Sequence, residues 1–185
     1  MNTLLVLGVN DGLQHFYIAA YDMDDHKYVV IRGTKDKHTW DMFSVVKCKL
    51  VDRKHFYDIK DEPVFTEQMG RLSLKEYLKD IKGSMIDFML PNSNEILTMV
   101  SVDRIEDIVE DGSYVGILLI SGDKTYQFKV ADRIWLQNWE KEEGLFKNGK
   151  DKGIANMNRK DRDVYVVVYR AHLNKRPYII AIHSL

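Results

Sequence analysis

The stretch from Tyr114 to Trp139 constrains the fold more than any other part of the chain. The apolar run from Val115 to Ile120 predicts a strand, and Gly122 in the turn after it can adopt a positive φ at little cost. From Thr125 to Val130 apolar and polar residues alternate, which is the period of a half-buried strand. Asp132 stands where the N-cap of a short helix is expected. The stretch therefore predicts a β-hairpin that leads into a capped helix.

Short apolar or alternating runs predict further strands on both sides of this hairpin. They are Leu4–Val9, Phe16–Tyr21, Tyr28–Ile31 and Phe43–Val51 before it, a strand resuming at Ile96, and Val164–Tyr169 and Tyr178–Ile182 after it. Short connections between such strands favour antiparallel meanders. We predict a mainly β (α+β) protein of two small antiparallel β-barrel lobes, residues 1–92 and 93–185, each with a short helix.

The segments between these strands carry one helix signal and three irregular stretches. Ser73 and Glu76 form a capping-box pattern, which predicts a helix that begins at Ser73 and ends near Gly83. Charged, weakly periodic sequence predicts irregular structure at residues 52–66, an acidic turn at 106–112 and a long exposed loop at 141–162. Pro63 excludes a central strand at its position.

Composition limits the kind of protein and its surroundings. The chain has 185 residues, 45% of them apolar, and a formal net charge of −1, so no global positive field attracts nucleic acid or an anionic membrane. Cys48 is the only cysteine, and its place on the apolar side of a strand predicts a buried structural thiol. No basic leader precedes Leu4, and no apolar run reaches the roughly 20 residues that cross a bilayer. We expect a soluble cytoplasmic protein that makes no membrane contact.

Motifs for catalysis or metal binding are missing from the sequence. There is no G-x-S-x-G, no glycine-rich phosphate loop and no H-x-E with cysteine pairs. The six histidines are scattered without metal-ligand spacing. We therefore predict no catalytic residues, no metal site, no cofactor and no enzymatic activity.

Two groups of basic residues are candidates for binding nucleic acid. The first lies beside an aromatic residue that a base could stack on: Arg32, Lys35, Lys37 and Trp40. The second lies in the predicted loop, where glycine and asparagine would let the backbone follow phosphates: Lys147, Lys150, Lys152, Arg159, Lys160 and Arg162. The alternatives are a turn with Trp40 in the core and a solvated charged loop.

An acidic group supports a different partner. Its members are Asp103, Glu106, Asp107, Glu110 and Asp111. Such a surface would hold Mg²⁺ or face a basic protein, whereas the simpler interpretation is a solvated face.

Several segments together resemble the dual OB-containing domain family. They are Phe16–Ala20, Tyr28–Arg32, Phe43–Val46, Tyr126–Trp135 and Pro177–Ile182. The segment from Tyr126 is similar to the family's Y-x-L-x-V-T-D-P-x-W. The chain departs from the family pattern at Val9–Gly12, where the family has an Asn-Ser-Arg turn, at Gly33 in place of proline, and at Ala131–Arg133 in place of Thr-Asp-Pro.

The resemblance implies two packed OB-type barrels, of a kind found in bacterial and phage conflict systems, for which nucleic-acid binding is the usual expectation. It covers nearly the whole chain, mostly through structural residues. We therefore expect a non-enzymatic module that binds single-stranded DNA or RNA. The alternative is a protein-binding inhibitor or adaptor, such as a phage or mobile-element anti-defence factor, that acts through the acidic group. The sequence leaves the oligomeric state open.

Overall fold

The computed structural model describes residues 1–11, 16–33, 40–54, 56–112, 114–170 and 176–185. The chain divides into two compact units, Met1–Ile81 and Lys82–Leu185. This division lies ahead of the boundary at residue 92, because Met85 and Phe88 pack in the second unit's core. That residues 1–92 and 93–185 are separate domains stays a prediction.

The described residues of the first unit form seven strands and one helix. The elements are β1 (Asn2–Asp11), β2 (Phe16–Asp22), β3 (Lys27–Gly33), β4 (Ser44–Cys48), β5 (Leu50–Arg53), β6 (Phe56–Ile59), β7 (Val64–Gln68) and α1 (Arg71–Ile81). They form one sheet in the order β5-β6-β3-β2-β1-β4-β7. Lys49 alone separates β4 from β5, yet β4 pairs with β1 and β5 pairs with β6. One stretch of chain therefore contributes to both sides of the sheet.

The second unit repeats this arrangement. Its elements are α2 (Met85–Phe88), β8 (Leu97–Val102), β9 (Arg104–Asp111), β10 (Tyr114–Ser121), β11 (Lys124–Val130), α3 (Arg133–Glu140), a 3₁₀ turn (Gly144–Phe146), α4 (Lys150–Met157), β12 (Val164–Tyr169) and β13 (Tyr178–Ser184). The sheet order is β8-β12-β13-β11-β10-β9. Its two outer strands, β8 and β9, are separated in the chain only by Asp103. The two ends of this sheet are thus halves of one bent stretch.

Each sheet contains one parallel pair among antiparallel ones, β3 with β6 and β11 with β13. The prediction of purely antiparallel lobes is therefore wrong at one pair in each described sheet, because β6 runs parallel beside β3 and β13 runs parallel beside β11. A mainly β fold is confirmed. This strand order is consistent with the OB-like β fold, a five-stranded Greek-key arrangement.

Each unit has its own apolar core. In the first, the inward side chains of β1, β2 and β3 meet Trp40, Val46 and Cys48. In the second, strand residues pack against Trp135, Phe146 and Met157 from the segment between β11 and β12. Cys48 is buried as predicted, and burial raises the pKa of its thiol to about 11, with Asp22 adding to the shift.

The central hairpin and the helix after it are confirmed. β10 and β11 pair in register from Gly116–Lys129 to Ser121–Lys124, and Gly122 in the turn has φ of 60°. The Asp132 carboxylate accepts a hydrogen bond from the Trp135 backbone N–H at 3.0 Å, which is the predicted N-cap. Trp135 and Trp139 share one face, stacked with ring centroids 6.2 Å apart.

Three predictions about the first unit are wrong in detail. α1 begins at Arg71, so Ser73 lies inside the helix and the capping box does not form. The segment predicted as irregular contains β6 and β7. The predicted strand over Phe43–Val51 is two strands, because the chain changes partner at Lys49. β7 pairs with β4 and β4 pairs with β1, so the last two differences depend on strand partners outside the segments themselves.

Two predictions about the second unit are also wrong. The acidic turn at 106–112 belongs to the strand β9, in which Ile105 and Ile108 are buried. The exposed loop at 141–162 contains the 3₁₀ turn and α4, which bury Phe146 and Met157. Apolar residues in this segment are too sparse to show a period, although Phe146, Ile154 and Met157 pack in the core of the second unit. Across the described residues, no helix has the length and apolar character that spanning a membrane requires.

Candidate nucleic-acid interface

The outer surface of β10 and β11 is an exposed strand face in the second unit. Along β11, Phe128 and Val130 are buried, whereas Gln127 and Lys129, which alternate with them, are exposed. Lys129 lies opposite Gly116 on β10. The alternation that builds the core therefore also presents polar side chains on the other side of the sheet.

Gly116 leaves room for an aromatic ring on this face. A Cβ atom at position 116 would lie 3.4 Å from Cε2 of the Tyr114 ring. The Lys129 Nζ lies 5.6 Å from the centroid of the same ring, within the range of a cation–π contact. The arrangement holds an aromatic ring and a cation next to each other on the strand face.

A groove of about 560 Å³ runs along this face. Its lining residues supply two tyrosine rings, two cations and an amide, and no carboxylate: Met89, Tyr114, Gln127, Phe128, Lys129, Arg176, Pro177 and Tyr178. The Tyr178 ring packs edge-on against Tyr169, with centroids 5.4 Å apart. Aromatic rings can stack on bases and cations can contact phosphates, so the groups that line this basic groove are of the kinds that contact nucleotides.

The surface beyond Tyr114 and Lys129 changes sign. A second cavity of about 420 Å³ shares these two residues with the basic groove and adds Glu110 and Glu140. A third, of about 500 Å³, shares those two glutamates with the second and adds Glu142 and Lys150, among others. Glu110 lies directly opposite Val115, which packs against the core, so this glutamate lies on the other side of the sheet from Tyr114 and Lys129.

The corresponding face of the first unit is covered. Ala19, Tyr21 and Val30 point away from the core of that unit, yet each is less than one-tenth exposed. The Tyr77 ring of α1 packs edge-on against Tyr21, and the Tyr28 hydroxyl donates to the Ile81 carbonyl. Among the described residues, these side chains on the outer face of β2 and β3 are therefore buried, whereas Gln127 and Lys129 on β11 are exposed.

The basic residues predicted in the first unit are engaged or outside the described part of the chain. Arg32 forms a two-point ion pair with Asp58, with a shortest N–O distance of 2.8 Å. Trp40 is 2% exposed and packs in the core, which is the alternative that the sequence left open. Lys35 and Lys37 lie outside the described residues.

The basic residues predicted in the second unit lie on and around α4, and none of them lines the basic groove. Lys150 forms an ion pair with Asp107 at 2.7 Å and donates to the Ile108 carbonyl at 3.1 Å. Arg159 pairs with Asp161 through two hydrogen bonds of 3.0 and 2.9 Å. Arg162 is half-buried, and Lys147, Lys152 and Lys160 are exposed.

Most of the acidic group is engaged within the second unit. Asp103 accepts from the Gly122 backbone N–H at 2.7 Å, and Glu106 pairs with Arg104 at 2.8 Å. Glu110 accepts from the Trp139 indole N–H at 2.8 Å. Asp111 is exposed at the end of β9. These contacts leave the group less available to a partner than its sequence suggests.

Ion pairs also set the protonation of three aspartates. Hydrogen bonds from Arg53, with a further contribution from Arg32, hold the pKa of Asp58 below its usual value. Lys150 lowers the pKa of Asp107, and Arg159 lowers that of Asp161. All three carboxylates are therefore ionised at neutral pH, and each neutralises a nearby cation that phosphate would otherwise contact.

Sequence reasoning missed the residues of the basic groove. Gln127 and Lys129 stand out only as the polar side of an alternating strand, and Arg176 and Tyr178 lie far away in the chain. Their convergence depends on β13 pairing parallel to β11, through Lys129 opposite Tyr178. Among the described residues, no three histidine, cysteine, aspartate or glutamate side chains are placed to hold a metal ion.

The comparisons with known proteins give structural neighbours of low similarity. They are HIN domains. The HINa domain of Ifi202 in complex with a 20-bp double-stranded DNA has 10% identity and a TM-score of 0.42, over 98% of this chain and 94% of that one. The tetrameric p202 HIN2 has 7% identity and a TM-score of 0.44, over 99% of this chain and 92% of that one. The p204 HINb domain has 11% identity and a TM-score of 0.42, over 96% of this chain and 95% of that one.

No protein-family model and no curated protein matches the sequence.

Proposed function

We propose that this chain is a nucleic-acid-binding module whose basic groove on β10 and β11 receives single-stranded DNA or RNA. One observation carries the proposal: the groove combines the rings of Tyr114 and Tyr178 with the cations Lys129 and Arg176, and none of its lining residues is acidic. Stacking on aromatic rings beside a cationic track is how single strands are bound without sequence preference.

The strand order supports an OB-type interpretation of both units. β4 continues into β5 and β8 into β9 after one residue each, so each sheet can curl until one stretch of chain completes it. We infer that the two units are OB-type barrels, as the resemblance to the dual OB-containing family implies. In OB folds the face of the second and third strands is the usual ligand surface. Those strands are β10 and β11 in the second unit.

The experiment is a salt titration of binding to labelled single-stranded DNA and RNA, followed by fluorescence anisotropy. If Lys129 and Arg176 each contact a phosphate, the logarithm of the affinity falls with the logarithm of the salt concentration, with a slope of about −1.4 or steeper. In the variant K129Q/R176Q the slope should become shallower by about 1.4, because both phosphate contacts are lost. In Y114A affinity falls by about 1–3 kcal/mol, the usual effect of losing one stacked base.

The matched control is K152Q/K160Q, which removes the same charge from exposed positions around α4, outside the groove. We expect it to bind like the unmodified chain. If it loses affinity while K129Q/R176Q does not, the sequence-based assignment to the 141–162 segment is correct and the groove is not the site. Absence of salt-dependent binding to either nucleic acid would contradict the proposal.

The remaining expectations stay proposals. Action by binding alone, a role in bacterial or phage conflict and a cytoplasmic location rest on the sequence patterns and the family resemblance. A protein partner at the acidic group is the second candidate, favoured by the exposed carboxylates of Glu106, Glu110 and Asp111. A partner captured in place of nucleic acid, and lost in E106Q/E110Q/D111N, would support it.

A further inference from the structure

The strand β7 lies at one edge of the sheet in the first unit. It pairs with β4 on one side, and among the described residues no strand pairs with its other side. Every residue of β7 is exposed, including Val64 at 57% and Phe65 at 50%. The backbone N–H and C=O groups that point away from β4 are therefore open to a further strand.

A β-bulge distributes the side chains of β7 between the two faces of the sheet. Phe65 lies opposite Val46, which packs in the core of the first unit, so Phe65 lies on the core side. The register shifts before Glu67, which lies opposite Val45. Because neighbouring residues of β4 point to opposite faces, Glu67 lies on the outer face. An added strand would therefore meet an aromatic ring on one face and a carboxylate on the other.

The exposed charges along this edge are negative. Asp61, Glu62 and Glu67 are exposed, and residues 61–68, which are β7 and the three residues before it, include no lysine, arginine or histidine. Among the residues of β4 that pair with β7, Lys47 is the one cation, and it lies one strand away from the open edge. A second copy paired at this edge would bring two sets of these carboxylates together, whereas lysine or arginine on an added strand would be attracted.

We propose that β7 is a docking edge for an extended segment of a basic protein partner, in which apolar and basic residues alternate. An apolar side chain of that segment covers Phe65 on the core side, and the lysine or arginine next to it contacts Glu67 on the outer face. Main-chain hydrogen bonds to the open edge supply affinity, and the alternation supplies specificity. Since β7 belongs to the first unit and the basic groove to the second, the proposed function can fail while this inference stands.

The probe is a synthetic peptide of about eight residues in which lysine and valine alternate, a length sufficient to span β7. Isothermal titration calorimetry measures its binding to the intact chain, and hydrogen exchange of the β7 amides reports where it binds. We expect the exchange of these amides to slow. A peptide of the same length in which glutamate and valine alternate should bind at least about tenfold more weakly, a difference equivalent to about 1.4 kcal/mol.

Variants of the edge test which side chains carry the interaction. E62K/E67K should weaken binding of the lysine–valine peptide at least about tenfold, because attraction becomes repulsion. F65S should weaken it by a smaller factor, since it removes only the apolar contact, and its exposed position leaves the fold intact. The matched control is E76K/D80K, which reverses two exposed charges on α1 and should bind like the unmodified chain.

Methylation of the peptide's backbone nitrogens separates strand pairing from charge attraction alone. Alternate residues of a strand direct their N–H groups to the same edge, so methylating either the lysines or the valines should abolish binding, and methylating the other set should not. Equal weakening by both sets, no binding of the lysine–valine peptide, or binding without slower exchange at β7 would overturn the inference. Dimerisation that slows exchange at β7 without peptide would also overturn it, in favour of a second copy.

Discussion

Asp132 shows how one side chain joins two distant elements. One carboxylate oxygen accepts from the Trp135 N–H at the start of α3, and the other accepts from the Ile182 N–H on β13 at 3.1 Å. Asp132 is only 4% exposed, and this burial raises the pKa of its carboxyl, while the backbone N–H groups oppose the rise. The residue is a helix cap by sequence and a link between helix and sheet by structure.

Replacing Asp132 with alanine should destabilise the chain. The variant loses an N-cap, which costs about 1 kcal/mol, and leaves the Ile182 N–H without its partner, which costs about 1–3 kcal/mol. We expect a loss of about 2–4 kcal/mol in the free energy of unfolding, measured by urea denaturation. D123A, in the exposed hairpin turn, is the control and should change it little. Equal stability of D132A and D123A would contradict this account.

At the scale of the element, α4 completes a strand edge. The Asn158 amide imitates a neighbouring strand: its oxygen accepts from the Ile105 N–H at 2.8 Å, and its nitrogen donates to the Ile105 carbonyl at 2.7 Å. Lys150, at the other end of the helix, donates to the Ile108 carbonyl. α4 therefore satisfies backbone groups of β9, which explains why a weakly apolar segment is ordered.

The variant N158A should release this contact. Both Ile105 backbone groups lose their partner, so we expect a cost of about 1–3 kcal/mol. The rate of hydrogen exchange should increase more at the Ile105 amide than at the amides of β12. N156A, an exposed asparagine on the same helix, is the matched control. Unchanged protection of Ile105 in N158A would show that the side-chain amide does not hold the strand.

At the scale of the whole molecule, near-zero net charge hides a pattern of local neutralisation. Three of the cations that the sequence presents as a nucleic-acid surface are paired with carboxylates: Arg32 with Asp58, Lys150 with Asp107, and Arg159 with Asp161. The basic groove differs because no acid lines it. Local charge, rather than the total of −1, therefore decides where an anion can bind.

The same pairs predict acid sensitivity. The pKa values of Asp58, Asp107 and Asp161 are lowered, so each contributes stability that is present above the unfolded value of about 3.9 and is lost as pH falls through the folded value. Asp132 acts in the opposite direction, because its pKa is raised and its contribution is lost as pH rises. We expect the urea concentration at the unfolding midpoint to decrease once the pH is lowered past about 4.

The triple variant D58N/D107N/D161N should show a weaker fall in the urea midpoint on acidification than the unmodified chain. A control that neutralises three other exposed aspartates, D61N/D87N/D111N, should keep the full acid dependence. If acidification lowers the urea midpoint by the same amount in both variants, these ion pairs do not contribute to stability.

The sequence by itself determined the local elements of this protein. The alternation at Thr125–Val130 placed Phe128 and Val130 inside, Gly122 made the turn, Asp132 began α3, and the apolar environment of Cys48 predicted its burial. Each of these depends on neighbours within a few residues, where side-chain period and backbone preference are sufficient.

Only the tertiary structure decided which faces meet and which stay open. The pairing of β11 with β13 brought Tyr178 and Arg176 beside Lys129, Asn158 ordered α4 on β9, and Asp58 neutralised Arg32. These contacts join residues far apart in the chain, and no local period encodes them. A lysine engaged with aspartate and a lysine in an open groove look the same in sequence, because the difference lies in what the fold places opposite each one.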